Sequence, residues 1–152
     1  MGKADDAALS DRTELASRLR FALVPLVRRL RQMNGPDLTA SQASALGSIA
    51  KSGPLTVGEL AELERVTSPM ITKIAKGLEE GGLATRSVDP TDRRITRIAL
   101  TAEGKRRLDR NRTRKNAWLA TRLRDLGPDD LAALEAVIPI FERLVGESPE
   151  GA

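Results

Sequence analysis

The stretch from Thr67 to Thr101 constrains the fold of this 152-residue chain more than any other part of it. Ser68 is a good helix N-cap, and Pro69 suits the first helical position because its missing N–H is not needed there. A pair of glycines, Gly81 and Gly82, can supply the left-handed residue that ends a helix. The sequence therefore predicts a helix that starts at Ser68 and stops at the glycine pair.

The two faces of this helix differ in chemistry. One face is apolar and consists of Ile71, Ile74, Ala75 and Leu78. The opposite face carries short polar or basic groups that could enter a groove of DNA and donate to phosphates or base edges, namely Pro69, Thr72, Lys73, Lys76 and Glu80. For Thr72, ordinary helix surface remains an alternative interpretation.

A hairpin with a basic tip is predicted directly after the helix. Leu83–Val88 and Ile95–Leu100 are β-type runs, and the six residues between them include one proline, two aspartates and two arginines. This composition is typical of a turn.

Two shorter helices are predicted before Ser68. Thr39 with Gln42 forms a capping box that opens one helix, and Thr56 with Glu59 forms another. A tight turn then leads from the second helix into the Ser68 helix. Two short helices joined in this way, the second with an exposed polar face, are a helix-turn-helix by geometry.

Long helices are predicted on both sides of this central region. Apolar residues recur at helical spacing from Asp11 to Met33, and Pro25 should bend that helix. Thr101 caps a predicted helix that reaches Leu126, and the polar segment 109–116 in its middle is expected to lie outside any core.

A last helix should start at Gly127–Pro128. It carries a heptad-like apolar seam formed by Leu131, Leu134, Ile138, Phe141 and Val145. This seam and the apolar faces of the first helix offer more hydrocarbon than one small domain can cover, so we expect them to pair with a second copy of the chain.

Composition excludes several classes of function. The chain has no cysteine and no histidine, which removes disulfides, thiol redox chemistry, Cys/His zinc sites and imidazole catalysis. No nucleophile or acid–base motif stands out, so no enzyme activity, catalytic residue, cofactor or metal site is predicted. No apolar run approaches the ~20 residues that span a bilayer, and the first ten residues lack an apolar signal segment. We therefore expect a cytoplasmic protein without a membrane partner.

The positive charge is concentrated in one region. The net charge is +4, but Arg65–Lys115 holds 14 basic and 6 acidic residues, so the rest of the chain is net acidic. Such a field suits nucleic acid better than a membrane, because no hydrophobic anchor accompanies it. A merely solvated basic face is the alternative.

One segment resembles a known signature. Asp89-Pro90-Thr91-Asp92-Arg93-Arg94, followed by Ile98-Ala99-Leu100-Thr101 and Gly104, resembles the wing signature of the MarR family of winged helix-turn-helix regulators. Leu60-Ala61 and the helix exit Leu78–Leu83 are similar to the same family at the same spacing. The resemblance extends over about Leu38–Gly104.

The resemblance implies a fold class and a division of the chain. The fold would be mainly α (α+β), a winged helix-turn-helix with a two-stranded wing, plus a helical dimerisation bundle from the N- and C-terminal helices. Residues 37–104 would form the DNA-binding domain, and residues 1–36 and 105–152 would belong to the dimerisation region.

The resemblance also implies a function and a set of site residues. The chain would be a homodimeric regulator, a repressor, that binds double-stranded DNA at an inverted repeat. The recognition helix would enter the major groove through Ser68, Pro69, Thr72, Lys73 and Lys76. Arg93 or Arg94 would enter the minor groove, and Asp92 would hold that arginine by an ion pair. Two alternatives stay open, an ordinary exposed hairpin tip and a winged helix used only for protein contacts.

Members of this family are usually released from DNA by a small aromatic ligand. In this chain the matching region would be lined by Arg20, Val24, Leu46 and Trp118. The lack of cysteine excludes release by thiol oxidation.

Overall fold

A computed structural model describes residues 3–36 and 38–146, with side chains from residue 9 onward. Helices dominate the described residues, and the strands form one small antiparallel sheet. The elements in chain order are α1 (Lys3–Gln32), α2 (Ala40–Ser52), β1 (Leu55–Thr56), α3 (Val57–Glu64), α4 (Ser68–Glu80), β2 (Ala84–Val88), β3 (Thr96–Leu100), α5 (Ala102–Leu123) and α6 (Pro128–Leu144).

The chain divides into two compact units, Met1–Thr113 and Arg114–Ala152, so the boundary between them falls within α5. These units describe packing inside one chain. The predicted parts 1–36, 37–104 and 105–152 describe roles in DNA binding and dimerisation, and they remain a prediction.

The first unit is built around a hydrophobic core shared by α2, α3, α4, the sheet and the start of α5. The largest fully buried side chains in this core are Leu46, Leu60, Ile71, Leu78 and Ile98. Burying a side chain of this size contributes about 1.5–3 kcal/mol. Because α3 and α4 have only 8 and 13 residues, they depend on this packing rather than on helix propensity. The predicted apolar face of α4 is confirmed, since all four of its residues are buried.

Both predicted capping boxes are present. At the start of α2, the Thr39 N–H donates to Gln42 Oε1 at 3.0 Å, and the Gln42 N–H donates to Thr39 Oγ1 at 3.2 Å. Thr56 and Glu59 make the same pair of bonds at the start of α3, at 2.8 and 3.1 Å.

The N-cap of α4 is Thr67, so the prediction of Ser68 at that position is wrong by one residue. Thr67 has an extended backbone, and its carbonyl accepts the N–H of Ile71 at 3.0 Å, which places Ser68 inside the helix. Pro69 still lies in the first turn, where its missing N–H costs nothing.

The ends of α3 and α4 are closed by left-handed residues. Arg65, at φ 53°, follows α3 and begins the turn into α4. Gly82, at φ 68°, is the glycine of the predicted pair that ends α4. Its N–H donates to the Glu79 carbonyl, and the N–H of Leu83 donates to the Leu78 carbonyl at 2.8 Å. These two bonds form a Schellman motif, which turns the chain directly into the hairpin.

The hairpin of β2 and β3 confirms the predicted wing, but the sheet has three strands in the order β1-β3-β2. Leu55 of β1 pairs with Ile98 of β3. β1 was not predicted, because a two-residue strand between two helices has no periodicity to detect.

The outer helices differ from the prediction at their boundaries. α1 already begins at Lys3, and α5 ends at Leu123 rather than at Leu126. The expectation that the polar middle of α5 lies wholly outside the core is wrong at Asn111, which is buried. Its Nδ2 donates to Asn34 Oδ1 at 3.0 Å, which gives the amide nitrogen of this buried side chain a partner.

In the second unit, α6 begins as predicted, with Gly127 at the N-cap and Pro128 in the first turn. Asp129 and Asp130 follow in that turn, where the helix dipole favours negative charge. No residue of α6 is buried. Across the described part of the chain, none of the helices is long and apolar enough to cross a bilayer.

Candidate nucleic-acid interface

One side of α4 presents a continuous polar and basic surface. The predicted recognition residues all lie on α4 and are exposed: Ser68, Pro69, Thr72, Lys73 and Lys76. Thr72 donates its hydroxyl to the Ser68 carbonyl at 2.8 Å. The Lys76 ammonium lies 3.7 Å from Glu80 Oε1, and both side chains are more than 60% exposed, at 73% and 67%. Surface pairs of this kind are weak, so Glu80 does not bind the exposed Lys76 ammonium firmly.

A cleft of about 550 Å³ runs between the N-terminal end of α2 and the basic face of α4. Thr39 and Ser41 line it on the α2 side, and Lys73 and Lys76 line it on the α4 side. The end of the Gln42 side chain lies against Gly77 of α4, since a Cβ added there would lie 2.7 Å from Gln42 Nε2. From the sequence, Thr39 was predicted only as a capping residue, because its place beside the two lysines depends on how the helices pack.

The orientation of α3 is fixed against α2. Ser48 Oγ donates to Glu64 Oε1 at 2.5 Å, which joins the middle of α2 to the last residue of α3. The turn at Arg65 then sets the direction in which α4 leaves α3.

The loop between β2 and β3 is closed around one buried carboxylate. The N–H of Asp89 donates to the Ile95 carbonyl at 2.8 Å, and the N–H of Ile95 donates to the Asp92 carbonyl at 3.0 Å. Asp89 is only 8% exposed. Its Oδ1 accepts from the Thr91 N–H, the Thr91 hydroxyl and the Asp92 N–H at 2.8–3.1 Å. The backbone of the wing tip is therefore held from inside the turn.

The predicted ion pair of Asp92 with a neighbouring arginine is wrong. Asp92 Oδ1 accepts the backbone N–H of Arg94 at 2.9 Å, and within the described residues no ion pair joins Asp92 to Arg93 or Arg94. A carboxylate two residues before Arg94 in a tight turn reaches the backbone more readily than the guanidinium. The side chains of Arg93 and Arg94 are exposed at the tip.

The ion pair at the base of the wing is made by other residues, which were not predicted from the sequence. Arg97 Nε donates to Asp89 Oδ2 at 2.5 Å. Arg97 Nη1 lies 3.3 Å from Glu59 Oε2 and 3.4 Å from the Pro54 carbonyl oxygen. No local pattern could reveal these contacts, because Glu59 and Arg97 are 38 residues apart.

These contacts shift the pKa values of Asp89, Arg97 and Glu59. The hydrogen bond from Arg97, followed by those from Thr91 and Asp92, holds the pKa of Asp89 well below its ordinary value of 3.8. The bond to Asp89 in turn raises the pKa of Arg97. The pKa of Glu59 is lowered mainly by the hydrogen bonds from Thr56, with a smaller effect from Arg97. All three groups are therefore charged at neutral pH.

Further bonds tie α4, the wing and α5 together within the first unit. Arg86 Nε on β2 lies 2.9 Å from both carboxylate oxygens of Glu79 on α4. The Thr101 hydroxyl donates to the Gly82 carbonyl at 2.6 Å and accepts the N–H of Gly104 at 3.0 Å. The second bond confirms Thr101 as the predicted cap of α5.

The predicted effector residues lie in separate environments. Leu46 is fully enclosed in the core of the first unit, which does not fit the expectation that it lines a ligand site. Val24 lines a shallow cleft on α1 beside Arg28 and Arg31. The Arg20 guanidinium lies over the ring of its neighbour Phe21 at 4.5 Å. In the second unit, the Trp118 ring is covered by Arg122 at 5.5 Å.

Comparisons with known proteins identify relatives. A family model described as the MarR family matches residues 38–96. A protein of Mycobacterium bovis, named as an uncharacterised HTH-type transcriptional regulator, is 33% identical over 93% of this chain and 99% of its own length. The HTH-type transcriptional repressor MdtR of Bacillus subtilis is 32% identical over 60% of this chain and 62% of its own length.

The fold agrees with a solved structure over nearly the whole chain. A MarR family protein from Bacillus stearothermophilus has a TM-score of 0.77 and 25% identity, and the match covers 97% of this chain and 99% of that one. The helix-turn-helix, the three-stranded wing region and the flanking helices are thus those of one family. The chain belongs to the MarR family of winged helix-turn-helix transcriptional regulators.

Proposed function

We propose that this chain is a homodimeric transcriptional repressor that binds an inverted-repeat operator in double-stranded DNA and acts in the cytoplasm. The main support for this proposal is that two basic features lie in the same unit and that an ion pair joins the elements that carry them. The exposed lysines of α4 and the Arg93–Arg94 tip both belong to the first unit, and the Arg86–Glu79 ion pair joins their elements. A chain with no histidine or cysteine and with this surface has the chemistry of a DNA-binding protein rather than of an enzyme.

In this proposal α4 enters the major groove. Lys73 and Lys76 donate to phosphates or base edges, while Ser68, Pro69 and Thr72 lie at the N-terminal end of the helix, where backbone N–H groups favour anions. Arg94 enters the adjacent minor groove and reads its width, with Arg93 as the alternative. Asp92 contributes by fixing the backbone of Arg94 rather than by pairing with its side chain.

The dimer is supported by apolar surface outside the DNA-binding frame. On α6, Leu134 and Ile138 are 41% and 53% exposed, and on α1, Phe21 is 67% exposed. Large exposed apolar side chains in this number indicate an interface. A two-fold axis would place two copies of α4 in successive major grooves, so the half-sites should lie about 10 bp apart.

Repression is proposed because a B. subtilis relative is named as a repressor. A bound dimer that covers a promoter excludes the transcription machinery without any further activity. Release by a small aromatic effector is proposed from the family resemblance. The cleft on α1 beside Val24, with Arg28 and Arg31 at its rim, has the mixed apolar and cationic lining that suits an aromatic carboxylate. Benzoate and phenol are suitable probes.

The salt dependence of binding tests the interface. The probe is a duplex that the wild-type protein selects from a randomised pool, and binding is followed by fluorescence anisotropy over a range of salt concentrations. Because each lost phosphate contact releases one counterion fewer, Lys73→Ala and Lys76→Ala should each lower the log-log salt slope by about 1. Lys51→Ala, at the opposite end of α2 from the α4 cleft, is the matched control and should leave the slope unchanged.

The wing is tested by sequence preference. Arg94→Ala should weaken binding and flatten any preference for A·T steps beside the core site. If Arg93→Ala does this instead, the assignment within the pair is reversed. Wild-type protein that shows no salt-sensitive binding to any duplex would favour a winged helix used only for protein contacts.

A further inference from the structure

The wing tip and the recognition helix belong to different parts of the chain, yet they must reach one DNA duplex together. A two-stranded hairpin with strands of only five residues is marginally stable by itself. Its position depends on what the strands bind. On one side, Arg86 of β2 holds the last turn of α4. On the other side, β3 pairs with β1, and Arg97 of β3 adds side-chain contacts to the wing turn and to α3.

Arg97 lies where three segments meet. Its Nε donates into the buried Asp89 carboxylate that closes the wing turn. Its Nη1 reaches Glu59 in the first turn of α3 and the Pro54 carbonyl just before β1. Directly opposite Arg97 on β1 is Thr56, the residue that caps α3. One guanidinium therefore joins the wing turn to the N-terminus of the helix-turn-helix.

This joint requires the shape of arginine. A planar guanidinium presents its N–H groups in fixed and divergent directions, so Nε and Nη1 can serve acceptors on different segments at once. A lysine ammonium is a point charge on a flexible stem and cannot hold both acceptors at a set angle. The Arg97 side chain is 30% exposed and the Asp89 side chain 10%, so the pair is partly shielded from solvent.

We propose that Arg97 is a positioning residue of the wing, which braces Asp89 against Glu59 and Pro54 so that the Arg93–Arg94 tip is presented at a fixed place relative to α4. The proposal rests on the proposed function, because it explains how that interface is held in register. Arg97 acts through the tip arginines and need not touch DNA itself.

The two carboxylate partners of Arg97 allow positioning to be separated from simple electrostatics. Asp89→Asn and Glu59→Gln each remove a negative charge from a protein that binds a polyanion. Electrostatics alone predicts tighter binding for both variants. Loss of the brace predicts weaker binding instead. Glu59→Gln is the cleaner change, because glutamine at this position keeps the capping box while it loses the ion pair.

The experiment measures affinity of the full chain for a duplex selected by the wild-type protein, with a circular dichroism melt for each variant. We expect Glu59→Gln, Asp89→Asn and Arg97→Lys to bind about five- to tenfold more weakly than wild type while α-helical content is unchanged. Glu80→Gln is the matched control, since it removes an exposed carboxylate beside Lys76 and should tighten binding. If Asp89→Asn does not fold, Glu59→Gln and Arg97→Lys decide the matter.

A double-mutant cycle shows whether the brace acts through the tip, and it uses whichever of Arg94→Ala and Arg93→Ala weakens binding of the otherwise wild-type protein. If the brace acts through the tip, that variant should cost much less in the Glu59→Gln background than in wild type, whereas Lys73→Ala should cost the same in both. Tighter binding by Glu59→Gln and Asp89→Asn, or additive losses in the cycle, would overturn the proposal. Failure of the wild-type protein to bind DNA would instead overturn the proposed function, and it would be seen before any variant is made.

Discussion

At the scale of single residues, Asp89 links the backbone of the wing turn to Arg97. One carboxylate accepts three hydrogen bonds from the wing turn on Oδ1 and the Arg97 guanidinium on Oδ2. All of these partners favour the ionised form, which is why the pKa of Asp89 lies below its ordinary value. A depressed pKa in the folded state means that ionisation of Asp89 stabilises the fold.

The sign of the resulting pH dependence is fixed by this direction. The stabilisation from Asp89 is fully present above its ordinary pKa of 3.8 and is lost as the pH falls toward the lower pKa of the folded state. Asp89→Asn should therefore lower the melting temperature at neutral pH, and its difference from wild type should narrow below about pH 4. Melting curves of both proteins from about pH 7 to about pH 2 measure this difference.

The comparison with Asp89→Asn also controls for other carboxylates. Glu59 and Glu103 have lowered pKa values of their own, Glu103 mainly through its bonds from Arg110 and Arg106. Glu103 has no bond to Asp89 or Arg97 among the described residues and cancels in the difference, whereas Glu59 shares Arg97 with Asp89 and cancels only in part. A difference that stays constant down to the acid limit would show that Asp89 is not the group responsible.

At the scale of elements, the start of α5 is seated on the end of α4 and the beginning of the wing. A Cβ added to Gly104 would lie 1.9 Å from the carbonyl oxygen of Leu83, which is backbone and cannot move aside cheaply. That same carbonyl accepts the N–H of Thr101 at 3.1 Å. Glycine at position 104 is therefore required by the close approach of α5 to the chain that enters β2.

Gly104→Ala should destabilise the first unit by about 2–3 kcal/mol or more, because a clash with backbone forces α5 away from Leu83. Gly47→Ala is the matched control, since nothing lies within 4 Å of the added Cβ in the interior of α2. That variant should stabilise the protein by about 0.5–1 kcal/mol. Urea unfolding of both variants measures the effect, and equal stability of the two would contradict the close approach.

The elements that could be predicted from the sequence are those whose signals are local. Capping boxes, the proline of α4 and the basic turn each involve residues within a few positions of one another. The helices and the wing were therefore predicted with boundary errors of a few residues. The start of α1 is the exception. The face of α4 was predictable for the same reason. The strand β1, the burial of Asn111 and the Arg97 brace were not, since each depends on a partner 38 or more residues away.

At the scale of the whole molecule, the main feature is apolar surface that the described part of the chain leaves exposed. The core of the first unit is closed, whereas α6 has no buried residue. Leu144 and Val145 at its end are each 67% exposed. A single chain therefore leaves hydrocarbon in water that a second chain can cover.

Ile138→Asp should prevent that pairing, because it places a charge in the middle of the α6 seam, where an interface would have to desolvate it. We expect sedimentation to show a dimer for wild type and a monomer for this variant at micromolar concentration, with operator affinity reduced at least about tenfold. Leu63→Asp changes an apolar residue that is 51% exposed on α3 and should leave the dimer intact. A wild-type protein that sediments as a folded monomer would contradict the expected pairing.

The closed turn of the wing has a consequence for how such a protein can diverge. The bonds that shape the turn come from Asp89, Thr91, Asp92 and backbone groups, and the side chains of Arg93 and Arg94 take no part in them. Positions 93 and 94 can therefore accept new side chains during evolution without loss of the scaffold that presents them. Related chains can therefore differ at these two positions while the fold of the turn is preserved, and under the proposed function such changes would alter the DNA shape that the wing prefers.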